Sequence, residues 1–227
     1  SSGAFILTFT GLFDVGDTVG VGSPGYPSYR QILKALSLNT NTIKTFNNNK
    51  FQPVVADIIN NSLDGLIVAS PANPTGSMLN KNDLEKLITA CKTKQTVFIS
   101  DEIYHGIEYE SRAVSALEVS DDCIVINSFS KYFSMTGWRL GWVVVPKNHI
   151  RQFERLAQNM FICAPHISQI AALGALDAYD ELNLNLKTYE TNRTMLIEEL
   201  PKLGLKNFAP PDGAFYFYIC LLYTSPS

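Results

Sequence analysis

Short β-branched runs recur along this chain with helix-length gaps between them, and that rhythm restricts its fold more than any other feature. The runs are TVGVG at 18–22, GLIVAS at 65–70, TVFIS at 96–100, CIVINS at 123–128 and LGWVVV at 140–145. Strands buried under helices on both faces read as continuous apolar runs, as these do, so the pattern predicts an α/β fold of three layers around a mainly parallel sheet. Residues 81–92 read as a covering helix, with apolar positions at 84, 87, 88 and 91 and with Asn80 and Asp83 placed as N-cap and N3 partner. The passage through Thr136 and Gly137 is too short for a helical crossover, which makes LGWVVV antiparallel to CIVINS. From Pro165 onward the character turns helical, over 166–180 and 182–200, before a Pro211-Asp212-Gly213 turn leads into a final strand, GAFYFYI. The expected organisation is a large domain over 1–180 and the start of a small C-terminal α+β domain over 181–219.

With 46% hydrophobic and 17% charged residues over 227 positions, the chain has material for a substantial core. A formal net charge of −3 and scattered lysines leave no basic footprint for nucleic acid. Cys91, Cys123, Cys163 and Cys220 lie far apart, without the close pairs of a metal or dithiol site, so no metal is expected and reduced thiols in a cytoplasmic setting are the default. No apolar stretch is long enough to span a bilayer and no signal peptide opens the chain, so no membrane role is expected. The start, running from Ser1 straight into an apolar periodic segment, implies a further strand upstream. Residues 220–227, CLLYTSPS, continue no pattern and read as a non-native tail.

In open α/β sheets, ligands bind beyond the carboxyl ends of the strands, so polar residues just after each run carry the chemistry. SFSKYFSMTGWR at 128–139 sets Lys131 between Ser128 and Arg139. A lysine there can form a Schiff base with the aldehyde of pyridoxal 5′-phosphate, while a hydroxyl and a permanently charged guanidinium suit its phosphate. PANPTG places Asn73 after GLIVAS, where its amide can donate to the cofactor's phenolic oxygen. TVFIS is followed by Asp101 and Tyr104, which can point toward one volume; a buried aspartate beside a pyridine nitrogen keeps it protonated and strengthens the ring as an electron sink. Ser1, Ser2 and Gly3 open a helix, where free N–H groups favour an anion. Tyr26, after a Gly-rich turn, can stack on the ring.

Each residue also has a purely structural alternative. Asp101 suits a helix N-cap, Asn73-Pro74 a turn, Tyr26 and Tyr104 the core, and Arg139 a surface ion pair. His105 and His166 read as structural, with no ligand or carboxylate partner at a useful spacing. Purely structural roles give no reason for the whole set to appear in this order, each member beyond its own strand.

PANPTG, SDEIYHG and SFSKYFSMTGWRLGW together resemble the class I/II aminotransferases among fold-type-I pyridoxal-phosphate enzymes, over residues 1 to about 219. The resemblance implies Lys131 as Schiff-base lysine and proton shuttle, with Asp101 on the pyridine nitrogen and Asn73 and Tyr104 on the ring oxygen. It implies Tyr26 stacked on the ring, and Ser1, Ser2, Gly3, Ser128 and Arg139 around the phosphate. It further implies transamination between an amino acid and a 2-oxo acid by a ping-pong cycle, in a homodimer. The family's C-terminal arginine for the substrate carboxylate and its N-terminal closing segment have no counterpart in these 227 residues. A carbon–sulfur lyase or decarboxylase would use the same fold and cofactor. An aminotransferase-like domain of a transcriptional regulator is a third reading, which an upstream helix-turn-helix would mark.

Overall fold

The structure is a computed structural model, and it describes residues 2–206 and 208–219. Six strands, Thr18–Ser23 (β1), Asn39–Lys44 (β2), Gly65–Ala69 (β3), Val97–Asp101 (β4), Ile124–Ser128 (β5) and Gly141–Val144 (β6), form one sheet in the order β2-β1-β3-β4-β5-β6 among the described residues. The first five are mutually parallel, and β6 runs antiparallel to β5, with Ser128 opposite Gly141. The short return through Thr136 and Gly137 thus does what its length requires. Helices are Ser2–Leu12 (α1), Pro27–Ala35 (α2), Val55–Ile59 (α3), Lys81–Thr93 (α4), Ile150–Phe161 (α5), His166–Ala175 (α6) and Tyr179–Glu199 (α7).

The side-chain alternation of each inner strand divides the core into two. Leu66, Val68, Phe98 and Val125 face one side, against Leu84, Leu87, Ile88 and Cys91 of α4 and Ile58 of α3. Ile67, Ile99, Ile124 and Ile126 face the other, against Phe5 and Phe9 of α1 and Tyr29 and Leu33 of α2. Both faces of the inner strands are therefore covered, which is why their runs contain almost no polar residues, whereas the LGWVVV run, expected to be buried in the same way, forms edge strand β6 and leaves Trp142 and Val144 exposed. The start of α4 follows its sequence signals: Asn80 Oδ1 accepts from the Asp83 N–H at 3.0 Å, and Asn80 Nδ2 donates to the Asp83 carboxylate at 2.8 Å.

Two elements differ from expectation. NTNTIK at 39–44 is a strand that the β-branched pattern did not mark; it lies at the sheet edge, where Ile43 alone is buried and polar residues face water. The final strand expected in GAFYFYI does not form a ladder among the described residues. Ala214 has φ +59°, a left-handed conformation that breaks the pleat, and only isolated bridges, Glu108 to Gly213 and Phe208 to Ile219, tie the segment down.

Ile99 is fully buried in β4, at the centre of the sheet. Ile99→Ala should lower unfolding free energy by about 3 kcal/mol, through lost transfer energy plus a residual cavity. Urea denaturation measures it, and a loss under about 1 kcal/mol would contradict the central packing assigned to this strand.

Candidate active site

Parallel strands deliver their carboxyl ends to one edge of the sheet, and a cavity of about 180 Å³ lies there. Beyond β1 it is bordered by Tyr26 and Tyr29, beyond β3 by Asn73, at the end of β4 by Asp101 with Ile103 and Tyr104 beyond it, and beyond β5 by Ser130 and Lys131. Ser2, in the first described turn of α1, joins Thr136, Arg139 and Tyr216 in closing it. A larger cavity of about 770 Å³ lies elsewhere, between Lys50, Asn80 and Arg112. Its charged groups are solvated or paired, as in the Arg112–Glu118 bridge, so the smaller site holds the unusual chemistry.

Asp101 is the centre of that chemistry. Its side chain is buried, accepts from the Tyr29 hydroxyl in a short hydrogen bond, and accepts from the Ile103 N–H at 3.2 Å. Burial pushes the carboxyl up to about 6, while the two hydrogen bonds pull the other way. Burial, then the adjacent Asp101, raises the Tyr29 phenol well above its ordinary value, so Tyr29 remains a donor. Tyr104 is raised too, by burial and then by its hydrogen bond with Tyr216. Tyr216 Oη lies 2.6 Å from Tyr104 Oη and accepts from Asn73 Nδ2 at 3.2 Å. Lys131 Nζ rests over two aromatic rings, 5.7 Å from the Tyr104 centroid and 5.4 Å from that of Phe215. Arg139, in a left-handed conformation at φ +54°, folds back so that Nη1 donates to the Thr136 carbonyl at 2.9 Å.

Among the residues singled out from sequence, Ser2, Tyr26, Asn73, Asp101, Tyr104, Lys131 and Arg139 share this cavity. Ser128 stands behind it, its hydroxyl donating to Ser130 Oγ at 2.7 Å and accepting from the Ser130 N–H at 2.9 Å; Ser130 borders the cavity instead. Gly3 borders a neighbouring apolar groove that also reaches Arg139. Ser1 lies outside the described residues, as does the 220–227 tail. The statement that His105 lacks a carboxylate partner needs correction: Glu102 Oε2 is 3.5 Å from its Nδ1, while its Nε2 meets the Ser70 carbonyl at 3.0 Å. The turn after Glu102, closed by the His105 N–H donating to the Glu102 carbonyl at 3.0 Å, brings these residues three apart together.

Sequence reasoning missed Tyr29, Thr136, Ser130 and Tyr216. Tyr29 had a usable signal, standing three residues after Tyr26 at a helix start, where positions i and i+3 share a face. Tyr216 had none, since it sits in a run that reads as an ordinary strand.

Comparison with known proteins identifies the family. The profile of the family described as Aminotransferase class I and II matches residues 1–221. The chain belongs to that family. It is 43% identical over 224 residues to the valine–pyruvate aminotransferase of Mycobacterium tuberculosis, covering 96% of this chain and 58% of that protein. A crystal structure from Silicibacter pomeroyi superposes with a TM-score of 0.95 at 61% identity, over 96% of this chain and 59% of that one. The aspartate aminotransferase of Thermotoga maritima gives a TM-score of 0.91 at 31% identity, over 98% of this chain and 60% of that one. The chain therefore spans somewhat over half the length of the proteins it matches.

The Asp101 carboxyl ionises near 6 in the folded state, against 3.8 ordinarily. Between those values the folded state holds the proton that the unfolded chain has lost, so Asp101 makes stability fall as pH rises through about 4 to 6. The loss by pH 7 is on the order of 2–3 kcal/mol for the cofactor-free protein. Asp101→Asn removes this ionisation, so its unfolding free energy relative to wild type should improve across that window. Urea denaturation at pH 4, 5, 6 and 7 decides it, and a difference constant with pH would show that the carboxyl titrates normally.

Proposed function

We propose that this chain forms the cofactor-binding body of a pyridoxal 5′-phosphate-dependent aminotransferase, which moves an amino group between an amino acid and a 2-oxo acid. The observation that carries this reading is the buried Asp101 carboxyl facing the same small cavity as Lys131. A carboxyl kept from water with only neutral donors calls for a cationic partner, and a protonated pyridine nitrogen is one. The rest of the lining suits the remaining groups of the cofactor. Arg139 and the first turn of α1 at Ser2 are fitted to hold a phosphate, Tyr26 to cover a ring face, and Asn73 with Tyr104 to donate to the ring oxygen.

When bound, the cofactor supplies an aldehyde carbon that captures an amine covalently and a ring that takes up the electron pair left on an amino acid's α-carbon. Lys131 Nζ is the amine among the described lining residues that can hold that carbon and, once free, move the α-proton. Asp101 keeps a proton on the ring nitrogen, and Tyr29 fixes the carboxyl in place. The rings of Tyr104 and Phe215 flank Lys131 Nζ and hold it beside the cavity. Valine and pyruvate, the pair named for the 43% identical relative, are the first substrates to try. The exposed apolar side chains Ile162, Ile167, Ile170 and Leu173, on and beside α6, support a homodimer, since such residues suit a buried interface.

Borohydride treatment of the full-length protein followed by peptide mapping should find reduced cofactor on Lys131 alone. Label on another lysine, or none on folded protein given cofactor, would refute the assignment. Mixing the cofactor-loaded protein with a panel of amino acids, without any oxo acid, should give one stoichiometric turnover to the aminated cofactor. Sustained release of ammonia and oxo acid would instead identify an eliminating lyase.

A further inference from the structure

Tyr216 belongs to the segment 208–219, far along the chain from the residues it touches. That segment is fastened to the body by backbone hydrogen bonds, from the Gly213 N–H to the Gly76 carbonyl at 2.8 Å and from the Ala214 N–H to the Ile107 carbonyl at 2.9 Å. Asp212 adds a salt bridge to Lys50 at 3.0 Å and accepts from the Met78 N–H at 3.0 Å. Gly76, at φ +66°, makes the close approach possible: a Cβ there would lie 2.4 Å from Pro211 Cβ and 2.7 Å from the Gly213 carbonyl oxygen. The fastening leaves the Tyr216 hydroxyl between Asn73 and Tyr104.

Tyr216 Oη is the shared partner of both groups. Asn73 Nδ2 only donates, so Tyr216 Oη accepts from it. The 2.6 Å contact between the two phenol oxygens needs one hydrogen from one side or the other. If Tyr104 gives it, Tyr216 accepts twice and its own hydrogen is left for the cavity, which Tyr216 also borders. If Tyr216 gives it, the Tyr104 hydrogen is left for the cavity instead, and an oxygen bound beside Asn73 and Tyr104 selects this second arrangement because it can then accept from both. We propose that Tyr216 is a positioning residue that, with the cofactor bound, donates to Tyr104 Oη while accepting from Asn73 Nδ2, so that both Asn73 and Tyr104 turn a hydrogen toward the same cofactor oxygen. This rests on the cofactor reading above and adds to it: two donors aimed at one point favour a ring oxygen that carries negative charge. Tyr216 thereby makes tight binding of the cofactor ring depend on docking of the 208–219 segment.

The test is equilibrium binding to the cofactor-free full-length protein, followed by quenching of its fluorescence. Two ligands are compared: pyridoxal 5′-phosphate and its analogue with hydrogen in place of the ring hydroxyl. Tyr216→Phe keeps the aromatic packing and should weaken the cofactor about tenfold while changing the analogue less than about twofold. In a Tyr104→Phe background the same substitution should cost clearly less, since one of its two routes to the ring oxygen is already gone. Equal weakening of both ligands would overturn the proposal in favour of a purely structural role, and so would unchanged cofactor binding. Wild-type protein that binds neither ligand would overturn the cofactor reading itself, and this proposal with it.

Discussion

Parallel pairing is the constraint from which the rest of this structure follows. Each strand from β1 to β5 must return through a crossover before the next can start in the same direction, so their carboxyl ends gather at one edge of the sheet. The crossovers cover the faces, and covered faces admit only apolar side chains. Polar residues are thereby pushed to the strand ends. Chain direction alone brings Tyr26, Asn73, Asp101 and Lys131 to one small volume from positions spread over a hundred residues.

At that edge the same burial that stabilises the sheet opposes the charge the site uses. Asp101 is the last residue of β4, between two buried neighbours, and its carboxyl is held against water's preference for the ion. Tyr29 is the compensating group. It packs edge-on against Phe5 at 5.0 Å and Tyr26 at 5.4 Å, so its hydroxyl is aimed by a core it belongs to. The site is thus oriented by hydrophobic packing, and a change in α1 or α2 would reach Asp101 without touching it.

The inner strands were legible because burial on both faces leaves an unmistakable mark in GLIVAS, TVFIS and CIVINS, and the α4 cap was legible because Asn80 and Asp83 meet locally. β2 was not, since an edge strand facing water carries polar residues that read as a loop. The same division holds in the site. Lys131 and Asn73 stand just past recognisable strands and Asp101 closes one, so position alone marked them. Ser128 was read as facing the site because it precedes the lysine closely, yet the turn after β5 puts Ser130 there instead. Tyr216 depends on contacts 112 and 143 residues back along the chain, and nothing local in GAFYFYI encodes them. Gly76 carries a signal that a sequence leaves ambiguous: a glycine in a turn suits a positive φ, and here its missing side chain also makes room for Pro211.

The cavity is bordered by residues as far apart as Ser2 and Tyr216, and that span matters while the protein is being made. Sequential emergence from the ribosome exposes α1 well before Tyr216, so a nascent chain can pair β1 to β5 before the pocket has the wall that Tyr216 supplies. During that interval the lysine, the aspartate and the apolar surface around them stand open to the cell. A ligand that binds only the finished pocket cannot help the sheet to form, and it can only hold closed what folding has already completed. Synthesis thus sets an order: the sheet first, the docked segment next, the loaded site last.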